Sequence, residues 1–331
     1  MEWIDFPDNR FKVFGLAWYE EDKPALRRLP MRLKDTFRQP VWDLAQNPAG
    51  GRIRFRTYSQ HVGIRAESPD TWVMNHITRI GQSGFDIYVD DSFMGSVSPD
   101  EHCKIEANWT IASTSKPREI TINMPLYKSV TIQAIGLDEG AIIGDPAPFR
   151  LDKPVLFYGT SITQGGCAST PGTSYQSFIS RWLEIDFINL GFSGNGMGEP
   201  ELASAINELD PSCIIIDYWA NIGDKLEKNL PEFAGALRTK HKEIPIIVVG
   251  PFYFTSESVD PTLHDWQRKV SKAYVDKMRR KGDKNIYFFD GRKMIDKAHS
   301  FGLVDGVHAN SLGFYFVAQG FTPYLKRVLG L

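Results

Sequence analysis

The sequence predicts a two-part protein of mixed α/β class: a doubly wound, parallel five-stranded sheet preceded by an antiparallel β-sandwich of jelly-roll type. Three observations carry this. From Pro154 onward, five short apolar runs alternate with helical stretches, the rhythm of strand–helix–strand units with right-handed crossovers. Before residue 145, segments of alternating polar and apolar residues follow one another with no helical pattern between them, as antiparallel sandwiches do. Between the two lies Asp145-Pro146-Ala147-Pro148, a proline-punctuated seam. The expected division is 1–148 and 149–331.

In the first half, Gly51–Tyr58 alternates as a half-buried strand does. Its arginines, Arg52, Arg54 and Arg56, are expected on a solvated outer face. Gly84–Val89, Asp90-Asp91 and Ser92–Val97 read as two strands around a short acidic turn. Arg118–Asn123 and Ser129–Ile135 alternate as well. Aromatic residues are frequent here: Trp3, Trp18, Tyr19, Trp42, Trp72 and Trp109. They suit sheet and core packing, or a platform on which a sugar ring stacks.

In the second half the apolar runs are Pro154–Phe157, Ile185–Leu190, Cys213–Ile216, Ile244–Val249 and Ile286–Phe289. Four are rich in Ile or Val, as strands buried on both faces are. Helices are expected over Ser174–Leu183 and over His264–Arg280. The second carries an apolar stripe of Trp266, Val270, Ala273, Tyr274 and Met278. Ser311–Leu329 reads as a closing helix, bent at Pro323.

Composition narrows the function classes. The chain has 331 residues, 42% hydrophobic and 24% charged, the profile of a soluble globular protein. A net charge of −2 favours neither nucleic acid nor an anionic membrane as partner. The three cysteines, Cys103, Cys167 and Cys213, have no metal-ligand spacing, and their odd number argues against a complete disulfide framework. The first ten residues are acidic and polar with no apolar signal region, and no run approaches the ~18 apolar residues of a membrane span. The default expectation is a cytoplasmic protein; the periplasm or the exterior stays open if a leader has been removed.

Chemistry gathers where the strands end. Ligands of open parallel sheets bind outside the carboxyl ends of the strands. After the first run comes Gly159-Thr160-Ser161, and after the second Gly191-Phe192-Ser193-Gly194-Asn195-Gly196. After the third comes Asp217-Tyr218-Trp219-Ala220-Asn221, and beyond the fifth Asp305-Gly306-Val307-His308. Singly these are a helix cap, a turn glycine, a second cap, a turn and one of seven histidines; their shared edge is the signal. Ser161 lies where a strand gives way to a helix, so unpaired N–H groups and the helix dipole favour negative charge beside it. A serine there can attack a carbonyl. His308 can take its proton and return it to a leaving alcohol, and Asp305 can orient the imidazole and stabilise its charged form. The N–H groups of Ser161 and Gly194 and the side-chain amide of Asn221 can hold an oxyanion. Cys167 and Ser193 are rival nucleophiles. Ser193 follows Gly191 as in a nucleophile elbow, but Asn195 stands where that motif has glycine.

With these blocks in place, residues 150–331 resemble the SGNH hydrolases, the GDSL-type esterase and lipase superfamily. Gly159-Thr160-Ser161-Ile162-Thr163-Gln164-Gly165 is similar to the first block, Gly194 matches the second, Asn221 the third, and Asp305-Gly306-Val307-His308 the last. Gly84-Phe85-Asp86-Ile87-Tyr88 is similar to the GxDLY signature of a β-sandwich domain that precedes the hydrolase domain in one bacterial subgroup. The chain departs from the family pattern at Thr160, where Asp is usual, and at Ala309, where proline often follows the histidine. Neither position carries a reacting group. The resemblance implies the flavodoxin-like SGNH fold and a serine esterase that needs no metal or organic cofactor. It implies small O-acyl groups, acetyl first, on a carbohydrate or oligosaccharide ester. Tyr218 and Trp219, beside Asn221, are expected to shape a small acyl pocket. An acyltransferase using the same acyl-enzyme and a non-catalytic carbohydrate-binding protein are the alternatives.

Overall fold

The computed structural model describes all residues, Met1–Leu331. Ten strands precede residue 145: β1 (Glu2–Asp5), β2 (Lys12–Phe14), β3 (Arg52–Thr57), β4 (His61–Glu67), β5 (Phe85–Val89), β6 (Ser92–Val97), β7 (Lys104–Thr110), β8 (Arg118–Asn123), β9 (Thr131–Leu137) and β10 (Ile143–Gly144). They form two antiparallel sheets. One has the order β1-β9-β4-β7, the other β10-β3-β8-β5-β6 with β2 beside β3. Ile64 and Ile135 of the first sheet share an apolar core with Phe55, Ile87 and Ile122 of the second, so the halves pack face to face as a sandwich. The hairpin predicted at Asp90-Asp91 is present, with both residues at positive φ, 46° and 65°, the twist that two-residue hairpins favour.

Five further strands, β11 (Val155–Gly159), β12 (Phe187–Gly191), β13 (Cys213–Asp217), β14 (Ile246–Val249) and β15 (Ile286–Phe289), form a parallel sheet in the order β12-β11-β13-β14-β15. This is the doubly wound order, whose direction of winding reverses beside β11. The loops after β11, β12 and β13 therefore open at one switch point. Helices Tyr175–Leu183 and Ser311–Leu329 pack against each other, while Pro200–Ile206, Leu226–Lys240 and Asp265–Arg280 pack in succession. The closing helix runs through Pro323.

Two expectations are corrected. Arg52 and Arg54 are 3% and 8% exposed, not solvated. Their face of β3 is covered by the second half of the chain. Arg52 pairs with Asp186 and stacks on Phe187 at 3.9 Å, and Arg54 stacks on Phe149 at 4.1 Å and pairs with Glu119 at 2.8 Å. In the helix Asp265–Arg280, Trp266 and Ala273 are exposed, and the buried face is Ser271, Tyr274 and Val275 with Val270 and Met278 at its margin. The apolar stripe is thus rotated from the expected one. Of the two readings of the N-terminal aromatics, packing is the one found, not a single sugar platform. Trp18 and Trp42, with Leu29, Phe37 and Val41, are buried in the core of the parallel sheet. Tyr19 lies in the sandwich core and Trp3 beneath Arg65. Trp109 packs at the core's edge, leaving Trp72, 61% exposed, with the Lys128 ammonium 5.1 Å over its ring.

Candidate active site

Ser161 is the first residue of a one-turn helix, Ser161–Gln164, that follows β11 directly. Thr160 caps it: its side-chain oxygen accepts the Ile162 N–H at 3.3 Å, so Thr keeps a capping function at the position that departs from the family pattern. The turn closes at Gly165, whose N–H, like that of Gly166, donates to the Ser161 carbonyl. At the first helical position the Ser161 N–H has no intrahelical acceptor.

His308 arrives from the other end of the chain on a turn built by Asp305. One carboxylate oxygen of Asp305 accepts the backbone N–H groups of Val307 at 3.0 Å and His308 at 2.8 Å. The other lies 2.7 Å from His308 Nδ1. Gly306 takes φ +86° in this turn, and a β-carbon there would meet Thr255 Oγ1 at 2.1 Å, so only glycine fits. Ala309 is buried and bridged to Leu303, which pins the loop without the usual proline. Asn310 then caps the closing helix by accepting the Gly313 N–H at 3.0 Å.

These turns place His308 Nε2 2.8 Å from Ser161 Oγ. With Nδ1 donating to Asp305, Nε2 carries the lone pair that faces the hydroxyl. Burial alone would raise the Asp305 carboxyl, but the backbone and side-chain hydrogen bonds from His308 and the Val307 N–H outweigh it and hold it at about 2. An ionised carboxylate, an oriented imidazole and a hydroxyl therefore stand in line.

The other two predicted groups flank this line at the same sheet edge. Gly194 is exposed at φ +65° with open space where a side chain would stand, and its N–H makes no backbone hydrogen bond. Asn221 sits in the short helix Trp219–Ile222 after β13. Its Oδ1 accepts the Gly196 N–H at 3.3 Å, which ties it to the Gly194 loop and leaves its NH2 group as a donor. Arg28 braces that loop from behind, donating to the carbonyls of Asn189 and Gly191 at the end of β12 and stacking on Phe192 at 4.8 Å.

Tyr218 and Trp219 do not line a pocket; they are 1% and 3% exposed. Tyr218 packs on Tyr158 and Phe233 and donates to Asn229 at 2.7 Å, and Trp219 packs among Phe252, Phe254 and His264. Residues this apolar, following a strand buried on both faces, turn inward with it. Of the rival nucleophiles, Ser193 has its N–H held by Gln164 Oε1 at 3.0 Å, while His308 faces Ser161. Cys167 lies near His308, but burial pushes its thiol up to about 12, so little of it is the thiolate that attacks.

Sequence reading missed the part the sandwich plays. Asp86 is buried and accepts from Asn123 Nδ2 and the Gly172 N–H, each at 2.7 Å. Burial raises its carboxyl and these bonds oppose that rise. Tyr88, two residues on, donates to the Gly172 carbonyl at 3.4 Å. The turn they grip passes its hold on through Thr173 Oγ1 to Ser311 Oγ at 2.6 Å, three residues after His308. Tyr127 donates to the Ser161 carbonyl at 3.1 Å, and His76 reaches the His308 ring with centroids 5.8 Å apart. The Gly-x-Asp-x-Tyr pattern at 84–88 was the one signal of this grip. His76, Cys167 and His308 are also the one group of side chains spaced to hold a metal ion.

Residues 152–326 match the GDSL-like Lipase/Acylhydrolase family, and residues 1–143 match GxDLY, the N-terminus of esterases of SGNH hydrolase type. Among solved structures, a putative GDSL-like lipase from Bacteroides ovatus is similar at 28% identity and TM-score 0.89, over 99% of this chain and 98% of that one. A salicylyl-acyltransferase from a tetracycline biosynthetic pathway shares the fold at 19% identity and TM-score 0.84, over 100% and 98%. So does an acetyl xylan esterase from Butyrivibrio proteoclasticus, at 11% identity and TM-score 0.64 over both chains in full. No curated protein is matched.

Proposed function

Because the chain belongs to the GDSL-like lipase/acylhydrolase family and is an ester hydrolase, we propose that it removes small O-acyl groups, acetyl first, from a carbohydrate or similar polar alcohol, with Ser161 as nucleophile. The observation that carries this is the line Asp305–His308–Ser161, with successive separations of 2.7 and 2.8 Å.

Ser161 Oγ attacks the acyl carbon while its proton passes to His308 Nε2. Asp305 balances the imidazolium through Nδ1–H. The carbonyl oxygen becomes an oxyanion, and the N–H groups of Ser161 and Gly194 and the amide of Asn221 donate to it. As this intermediate collapses, the C–O bond to the alcohol breaks, and His308 returns the proton to the departing oxygen. Water, deprotonated by His308, then attacks the acyl-Ser161 ester, releasing the acid and restoring the hydroxyl. Every proton is held by a group already in place, and no step calls for a metal or organic cofactor.

The acetyl and carbohydrate parts of the proposal are supported by the shared layout with an acetyl xylan esterase. A fluorophosphonate probe is expected to label the wild type and not Ser161→Ala, and acetylated sugars to release free acetate. An unlabelled wild type would remove the nucleophile. Acyl transfer to a second alcohol starts from the same acyl-enzyme, so acetate and transferred ester are measured side by side with a sugar alcohol added.

A further inference from the structure

Three nitrogen and sulfur ligand groups from distant stretches meet beside Ser161. One ligand atom each of His76, Cys167 and His308 lies within 4.8 Å of the others. His76 comes from the exposed connection between β4 and β5. Cys167 is buried at φ +72°, just past the turn that ends the Ser161 helix. His308 has Nδ1 committed to Asp305 at 2.7 Å, so its open lone pair is on Nε2. A carboxylate fixing one imidazole nitrogen so that the other is a ready donor is also how proteins orient histidine metal ligands. The device that makes His308 a base makes it a ligand.

We propose that His76, Cys167 and His308 form a site for a thiophilic divalent cation, zinc being the type, and that its occupation stops ester turnover. The donor set is two imidazoles and one thiol, with the nearby carboxylate of Asp305 already engaged; such a set selects zinc over magnesium or calcium. Tetrahedral zinc, with bonds of ~2.0–2.3 Å, places its ligand atoms ~3.4 Å apart. The present span of at most 4.8 Å closes to that value by up to about 1.4 Å of movement, to which His76, on an exposed stretch, contributes. On binding, Cys167 gives its proton to solvent and coordinates as thiolate, His76 and His308 coordinate as neutral imidazoles, and the fourth position takes water. The lone pair on His308 Nε2 cannot hold both the metal and the Ser161 proton, so metal and turnover exclude each other. This second half rests on the esterase reading; the binding half does not.

Cobalt(II) is the probe for binding, in the full chain. A saturable thiolate-to-cobalt charge-transfer absorption at one equivalent is expected in wild type and its loss in Cys167→Ser. Loss or weakening is expected in His76→Ala, whose exposed site leaves the fold intact. Zinc should inhibit hydrolysis of p-nitrophenyl acetate reversibly, with recovery on adding EDTA. Both variants should lose that inhibition, each measured against its own metal-free rate. Absence of the absorption in wild type, or its persistence in Cys167→Ser, overturns the site. Zinc inhibition undiminished in both variants overturns the link to turnover. The cobalt spectrum needs no catalysis, so it decides the site even in a protein that hydrolyses nothing.

Discussion

Two Asp-x-x-His turns lie nine positions apart near the end of the chain, Asp296–His299 and Asp305–His308. In each, the aspartate accepts the backbone N–H of its own histidine, at 3.1 and 2.8 Å. In each, the carboxylate lies 2.7 Å from the ring Nδ1. Each carboxyl is held below its ordinary value against the upward push of burial, by hydrogen bonds from the histidine and its neighbouring backbone. The two differ in what the rest of the ring meets. His299 lies on Phe316, with centroids 4.5 Å apart, while His308 meets the hydroxyl of Ser161. A local motif thus makes an oriented imidazole twice; the long-range crossing of the chain brings a hydroxyl, the proposed nucleophile, to only one of them.

The sharpest way to break this comparison is to remove the rings. Ser161→Ala and His308→Ala are each expected to lower kcat for p-nitrophenyl acetate by ~10⁴–10⁶-fold, with circular dichroism unchanged. His299→Ala should leave the rate as it is. A near wild-type rate in His308→Ala, or a large loss in His299→Ala, would dissolve the distinction. The carboxylates come next. Asp305→Asn should cost ~10²–10⁴-fold in kcat, less than loss of the serine, because the ring loses both its tautomer bias and its counter-charge. Asp296→Asn should cost nothing in turnover. Equal rates in the two variants would mean that the turn, rather than its charge, is what His308 needs.

The proposed oxyanion donor, Asn221, should weigh less. Asn221→Ala is expected to reduce kcat by ~10²–10³-fold, about 2–4 kcal/mol of transition-state stabilisation, with KM little changed. A loss confined to KM would assign Asn221 to substrate binding alone.

The contrast also explains what could be read in advance. β11 to β15 were visible because a strand buried on both faces is a continuous apolar run. Ser161, Gly194, Asn221 and the Asp305–His308 turn were visible because each follows such a run, or a short loop after it, at one sheet edge. What crosses between the halves was not. Arg52 and Arg54 alternate with Ile53 and Phe55 as an exposed face would. Period-two alternation, however, reports only that two faces differ, not that the second is wet; Asp186 and Phe149 cover it from the other half. Tyr218 and Trp219 stand beside Asn221 in sequence, yet the turn after β13 sends them into the core and Asn221 to the edge. His76 and Tyr127 approach His308 and Ser161 through tertiary folding alone, so no local spacing marks them.

The smallest effect separates the paired turns least, and that is its use. A carboxyl whose folded value is lowered adds stability that is present above its unfolded value, ~4, and lost as pH falls through the folded one. For Asp305 that window runs from ~4 down to about 2, and Asp296 shifts in the same direction. Both side chains are more than a third exposed, so screening holds each contribution to about 1 kcal/mol or less. Urea midpoints measured from pH 7 to pH 2 should therefore start slightly lower in Asp296→Asn and in Asp305→Asn than in wild type and converge with it at the acid end. The same small convergence in both, beside a large kinetic loss in one alone, is the result expected if the turns are equivalent as structure and differ only in what faces the imidazole. A gap that persists to pH 2 in Asp305→Asn would instead show that this carboxylate supports the fold by contacts independent of its charge.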